Sequence, residues 1–201
     1  MNDIKTSPRR GAPARQKVLD AAERLLRTGK AEFSMRDLSA EAGVSFATPF
    51  NQFGSKHGIM LALSHRRIET MIARYEAAPP AGDTPARVLH AVDVAASVML
   101  EEPAVNRAVM GWLGTPGDPP GQVLAHSTAL WTRALGEDGR EVAGLRGLAT
   151  RLAFAFRGTL SFWTAGELPD ATLAPTARDL AAALLRADMA ARESKPTPSS
   201  G

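Results

Sequence analysis

The chain has 201 residues, 44% of them apolar, a formal net charge of +3 and no cysteine, which is enough for one good core or for a small domain joined to a larger one. The missing thiol excludes disulfides and thiolate metal sites and fits a reducing, cytoplasmic setting. No apolar run of 18 residues occurs, so no membrane span is expected.

Residues 1–12 read as a flexible basic arm carrying Lys5, Arg9 and Arg10, without the apolar stretch of a signal peptide. A first amphipathic helix follows, from about Pro13 to Thr28, with Val18, Ala22, Leu25 and Leu26 at helical spacing. Ser34 then has the form of a helix cap. Asp37, three residues on, completes a capping-box-like pair near the positive end of the helix. Met35, Leu38 and Ala42 share one face of that helix, Gly43 suits a sharp exit, Val44 plugs the angle and Ser45 caps the next helix. Two short helices joined in this way form a helix-turn-helix.

Charge supports a role for that unit. Through Arg67 the sequence holds 12 Lys or Arg against 6 Asp or Glu, and beyond Arg67 it holds 12 against 15, so the head is about +6 and the body about −3. A basic segment that coincides with a helix-turn-helix is the footprint expected for phosphate binding with counterion release.

Gly43, Val44, Ser45, Thr48, Pro49, Phe50, Phe53, Ser55 and Lys56 resemble the pattern of the tetracycline-repressor (TetR) family of bacterial regulators. That pattern is Gly-Val-Ser, then Thr, a hydrophobic residue, an aromatic residue and Phe, and soon Ser-Lys. The resemblance covers roughly residues 13 to 67. Two positions depart from it: Phe50 stands where the family usually has Tyr, removing a hydroxyl donor to phosphate, and Pro49 stands where a non-proline hydrophobic residue is usual. Proline is least costly in a first helical turn, so Pro49 implies that the recognition helix starts near Ser45 or is locally irregular.

The resemblance implies an all-α fold. An N-terminal three-helix helix-turn-helix DNA-binding domain, residues 13–60, would precede a C-terminal helical ligand-binding and dimerisation domain, residues 61–192, and a disordered tail, residues 193–201. It also implies double-stranded DNA, a small and largely apolar effector and a second copy of the chain as partners, with repression as the mode of regulation. Ser45, Phe46, Ala47, Thr48 and Asn51 would lie in the major groove, Phe46 through a thymine methyl. Ser34, Arg36 and Lys56 lie where the family meets the DNA backbone, and Phe50 would keep apolar contact at the DNA edge. Arg9, Arg10 and Arg15 suit a minor-groove arm.

Beyond the head, a long helix from Ser55 to about Ala77 ends before Pro79-Pro80, and Thr84-Pro85 opens another that runs through Met99. Pro103 breaks or restarts it, and a short piece reaches Leu113. The Thr115–Gly121 loop, a helix through Leu135, a densely apolar helix from about Glu141 to Ala165 and a last helix from about Pro175 to Ala191 complete the order. Met99, Met110, Trp112, Trp131, Phe154, Phe162 and Trp163 are candidates to line an apolar pocket, as large flat and flexible side chains accommodate varied ligands. The two C-terminal helices are the expected dimer surface by the same resemblance.

No cofactor, metal site or enzymatic activity is expected: there is no Gly-rich phosphate loop, nucleophile elbow or metal-protease motif. His90 and Asp93 share a helical face and would make half a metal site, which is weak without a third ligand. The rival readings are a helical adaptor acting through protein partners and an enzyme of unrecognised type.

Overall fold

The computed structural model describes residues 12–114, 123–136 and 147–193, and every regular element among them is helical. The head comprises α1 (Ala12–Arg27), α2 (Met35–Ala42) and α3 (Ala47–Phe53) with the start of α4 (Lys56–Ala77). The body adds α5 (Thr84–Glu101), α6 (Pro103–Trp112), α7 (Val123–Leu135), α8 (Leu148–Thr164) and α9 (Asp170–Glu193). The expected arm (except for its last residue, Ala12), the Thr115–Gly121 loop, the Glu141 helix start and the tail (except for Glu193) lie outside the described residues. No helix among the described residues is long and apolar enough to cross a membrane.

Two hydrophobic cores organise the chain. The first joins Val18, Leu25 and Leu26 of α1 and Leu38 of α2 to Ile59, Met60 and Leu63 of α4. Each such aliphatic side chain, nearly or fully out of water, contributes about 1.5–3 kcal/mol of burial. The second packs Met71 and Tyr75 of α4 with Val92, Met99, Trp131, Leu152, Trp163 and Leu173 of the body helices. The 22-residue α4 therefore enters both cores and runs unbroken past residue 60. A second element crosses as well, because Val105 and Val109 of α6 pack into the first core.

Local chemistry explains most boundaries. The α2 capping box is complete: Asp37 N–H donates to Ser34 Oγ at 3.1 Å and Ser34 N–H to Asp37 Oδ2 at 2.8 Å. The Ser34 N–H and hydroxyl, both donating to the carboxylate, hold the Asp37 carboxyl below its usual pKa. Gly43 ends α2 at φ +63°, left-handed backbone that a side chain disfavours. Asp83 caps α5 through Ala86 N–H at 2.9 Å, with Pro85 in the first turn. The chain turns at Glu102, and Pro103 restarts it as α6.

The last helix departs from the sequence reading. It begins at Asp170, with Pro175 inside it, rather than at Pro175. Asp170 accepts hydrogen bonds from Trp163 Nε1 at 2.8 Å and from Arg107, and these tertiary contacts anchor a first turn that the sequence alone does not announce. A proline this close to a helix start removes a single intrahelical bond.

Candidate nucleic-acid interface and body cavity

The face of α3 turned away from the head core carries Phe46, Ala47, Phe50 and Asn51, all exposed, while Pro49 is buried beneath them. Burial of Pro49 in the first turn of α3 is how the helix accommodates it: the helix opens at Ala47, two residues after Ser45, and the proline ring packs inward. Ser45 Oγ and Thr48 Oγ1 are 2.8 Å apart and Thr48 N–H donates to Ser45 O at 2.9 Å, so the two hydroxyls close the helix start on each other. Phe46 and Phe50, 54% and 40% exposed, meet edge to face at 5.4 Å. Two neighbouring phenylalanines left in water on a seven-residue helix form a small apolar ridge suited to contact with another surface.

Other head residues brace this helix. The Arg15 guanidinium lies 4.4 Å from the Phe53 ring centre and donates to Gln52 O at 3.4 Å, tying α1 to the end of α3. Gly58 sits where an added Cβ would be 2.1 Å from Phe53 O, so only glycine lets α3 and α4 approach this closely. Arg36 is exposed beside the Ser34–Asp37 cap.

Lys56 takes a different position from the other candidates. Its ammonium donates to Ala31 O at 2.7 Å and lies 4.6 Å from the Phe33 ring and 4.8 Å from the Trp112 ring, with 16% of the side chain exposed. The cation is clasped between the head and the end of α6. Trp112 accordingly lies at this junction rather than in the body cavity.

The body cavity opens among α4, α5, α6, α7 and α8. Met99, Met110 and Trp131, candidates from the sequence, line it together with Met71, Phe156 and Arg157. Its volume is about 50 Å³ measured at the centre of a water-sized sphere, room for a few waters. A larger guest must displace the flexible methionines. Phe154 and Phe162 stand on the outer face of α8, 52% and 58% exposed, and Trp163 is fully buried with its indole N–H on Asp170. The one-residue step from Phe162 to Trp163 rotates about 100° around the helix, enough to separate surface from core.

A polar chain that sequence reasoning missed runs from the cavity wall to the head. Asn106 is buried on α6; its amide donates to Val98 O at 3.1 Å and Met99 O at 2.9 Å, and its Oδ1 accepts from Arg67 Nε at 2.8 Å. Arg67 pairs with the buried Glu23 of α1 at 2.9 Å, and Glu23 with Arg66 at 3.3 Å. Glu102 joins through Arg27, and that pairing holds its carboxyl below the usual range. Arg67, Asn106 and Val109 all line the cavity, while Glu23 lies on α1 of the head and Val109 also packs into the head core.

His90 faces Tyr75 at 5.9 Å between ring centres and Asp93 pairs with Arg178. Among the described residues no three His, Cys, Asp or Glu side chains group as metal ligands.

Residues 18–63 match the family model described as bacterial regulatory proteins, tetR family. A TetR transcriptional regulator from Rhodococcus sp. RHA1 superposes with a TM-score of 0.72 at 20% identity, over 86% of this chain and 96% of that one. A protein from Mesorhizobium loti MAFF303099 described as a TetR-family transcriptional regulator gives a TM-score of 0.55 at 17% identity, over 90% and 98% of the two chains. No curated protein sequence matches. Residues 18–63, which hold the helix-turn-helix, thus match the tetR-family model, and the chain has the fold of the TetR-family transcriptional regulators.

Proposed function

We propose that the protein is a homodimeric, ligand-responsive repressor that binds a near-palindromic operator and leaves it when a small, largely apolar effector enters the body. The observation that carries the DNA-binding part is the outward face of α3, where Phe46, Ala47, Phe50 and Asn51 stand exposed on a braced helix-turn-helix. In the major groove, Asn51 offers a bidentate partner to adenine, and Phe46 and Phe50 offer apolar contact to thymine methyl groups. Ser45, Thr48 and Ala47 allow close approach at the helix start. Ser34 and Arg36 at the start of α2 serve the phosphate backbone, which positions the head without reading sequence.

The dimer reading is supported by α8 and α9. Phe154 and Phe162 on α8 and Leu180 and Met189 on α9 are exposed large apolar residues, interspersed with Gly158, Ala183 and Ala187. An isologous face of this kind would present two heads to half-sites about one DNA turn apart. The effector reading is supported by the contact between cavity and head: Val109 serves both, and Arg67 links the cavity wall to Glu23 of α1. A guest that spreads the methionines displaces α6 relative to α4 and α1. Release then requires that the guest bind the displaced arrangement more tightly.

Selection of bound sequences from a random duplex pool, followed by affinity against salt, tests this reading. The expected result is a near-palindromic winner with a steep salt slope, an altered preference on Thr48→Ala or Asn51→Ala, and a uniform loss on Arg36→Ala. Weak binding without sequence preference would sink it and favour a helical adaptor.

A further inference from the structure

We propose that the effector taken by the body cavity is a monocarboxylate with an apolar body, its carboxylate held by the guanidinium of Arg157; this rests on the reading of the cavity as the effector site. Arg157 projects from α8 into the cavity wall among Met71, Met110, Trp131 and Leu160. Its only polar contact among the described residues is Met110 Sδ, 3.7 Å from Nη1. A thioether is a weak acceptor, and a guanidinium carries five N–H donors in a planar fork. Burial pulls the Arg157 pKa below its ordinary value, and no acid among the described residues pairs with it.

The contrast with the surrounding arginines makes this position unusual. Arg67, in the same cavity, is taken up by Glu23, Asn106 and Glu102. Elsewhere in the body, Arg151 pairs with Asp188, Arg133 with Glu76, Arg107 with Asp170 and Arg178 with Asp93. Each of these has an acid partner, whereas Arg157, among the described residues, faces the mostly apolar wall of the cavity. A two-oxygen anion fits the fork as a bidentate partner.

The rest of the wall sets the charge and shape of the guest. One cation without an acid partner among the described residues balances one negative charge, so a dianionic phosphate would bring a surplus charge into a low-dielectric site. The Asn106 amide is already spent on two carbonyls, leaving the Ser64 and Ser127 hydroxyls as further polar groups of the cavity. The methionines, Trp131 and Phe156 suit an aromatic or aliphatic body that displaces flexible side chains.

Titration calorimetry with phenylacetate, octanoate and decanoate, each against its primary amide, tests the assignment. Acid and amide share shape and differ in charge. The expected result is binding of the acids about 10- to 100-fold tighter than the amides. Arg157→Met should level the two, and Arg157→Lys should keep part of the difference, since a point charge lacks the fork. Equal affinity of acid and amide for the unmodified protein would overturn the carboxylate proposal and leave the effector cavity standing. Binding of neither would overturn both readings. An acid preference that survives in Arg157→Met, checked for unchanged helicity and urea midpoint, would move the anion away from Arg157; that check does not touch the comparison in the unmodified protein.

Discussion

Replacing Lys56 by methionine keeps a flexible stem of similar length and removes the charge that joins the head to the end of α6. The ammonium donates to Ala31 O at 2.7 Å and faces two aromatic rings at 4.6 and 4.8 Å. A hydrogen bond from a charged group contributes about 1.5–3 kcal/mol and each cation–π contact about 0.5–1. Releasing a constrained lysine returns about 1–2 kcal/mol of side-chain entropy. The balance is a loss of about 2 kcal/mol, roughly thirtyfold in the folding equilibrium. Glu32, 3.8 Å away and 89% exposed, adds little. Urea unfolding followed by tryptophan fluorescence, with Trp112 as a reporter at the clasp, measures the loss directly. A phosphate contact at the DNA surface predicts something else: an unchanged urea midpoint, uniformly weaker binding to all duplexes and a salt slope reduced by about one ion. That second pattern would refute the clasp as the main role of Lys56.

The other predictions address the dimer face and pH. Phe154→Glu combined with Phe162→Glu places two carboxylates on the exposed face of α8; sedimentation should shift from dimer to monomer at micromolar concentration, and an unshifted dimer would place the interface elsewhere. His65, stacked at 3.5 Å on His126, has its pKa pushed down to about 4 by burial, with the His126 and Arg15 charges adding to the effect. The native ring therefore stays neutral where the unfolded one, at about 6.5, takes up a proton. Stability from this group is complete above pH 6.5 and is lost as pH falls toward 4. The loss is about 1–2 kcal/mol once the partial exposure of the ring is discounted. Urea midpoints at pH 7.5 and 4.5 should converge more in His65→Phe than in the unmodified protein, and an identical pH dependence in the two would dismiss the effect.

Local signals made the head readable from sequence. Ser34 with Asp37, Gly43, Ser55 and the paired prolines before α5 each act within a few residues, so the physics that places them is contained in the sequence window. The outward residues of α3 follow from helical period once Pro49 is placed in the first turn. Asp170 shows the opposite case. Its turn is fixed by Trp163 and by Arg107, 63 positions away, and a reader of the local sequence sees only the proline at 175 as a natural start. Long-range packing acts at the junction as well: α4 and α6 contribute to both cores, and an α6 residue's part in the head core depends on a contact nearly 80 residues from α1.

For the cavity, residue type carried less information than partnership. Phe154, Phe162 and Trp163 are alike in hydropathy, yet two face outward and one is sealed in the core; only the helix phase relative to α9 separates them. For charged residues the sequence leaves the intramolecular partner open. Sequence reasoning assigns a lysine or arginine to solvent or to an anion by default, because a carbonyl at Ala31 or a ring at Trp112 leaves no pattern near Lys56. Arg157 takes its significance from the acids that pair with Arg67, Arg151 and Arg178 and, among the described residues, bypass it. A charge becomes informative when its partners are counted, and that count needs the folded chain. Both cations meet the C-terminal turn of α6, Arg157 at Met110 and Lys56 at Trp112, two residues apart along the chain.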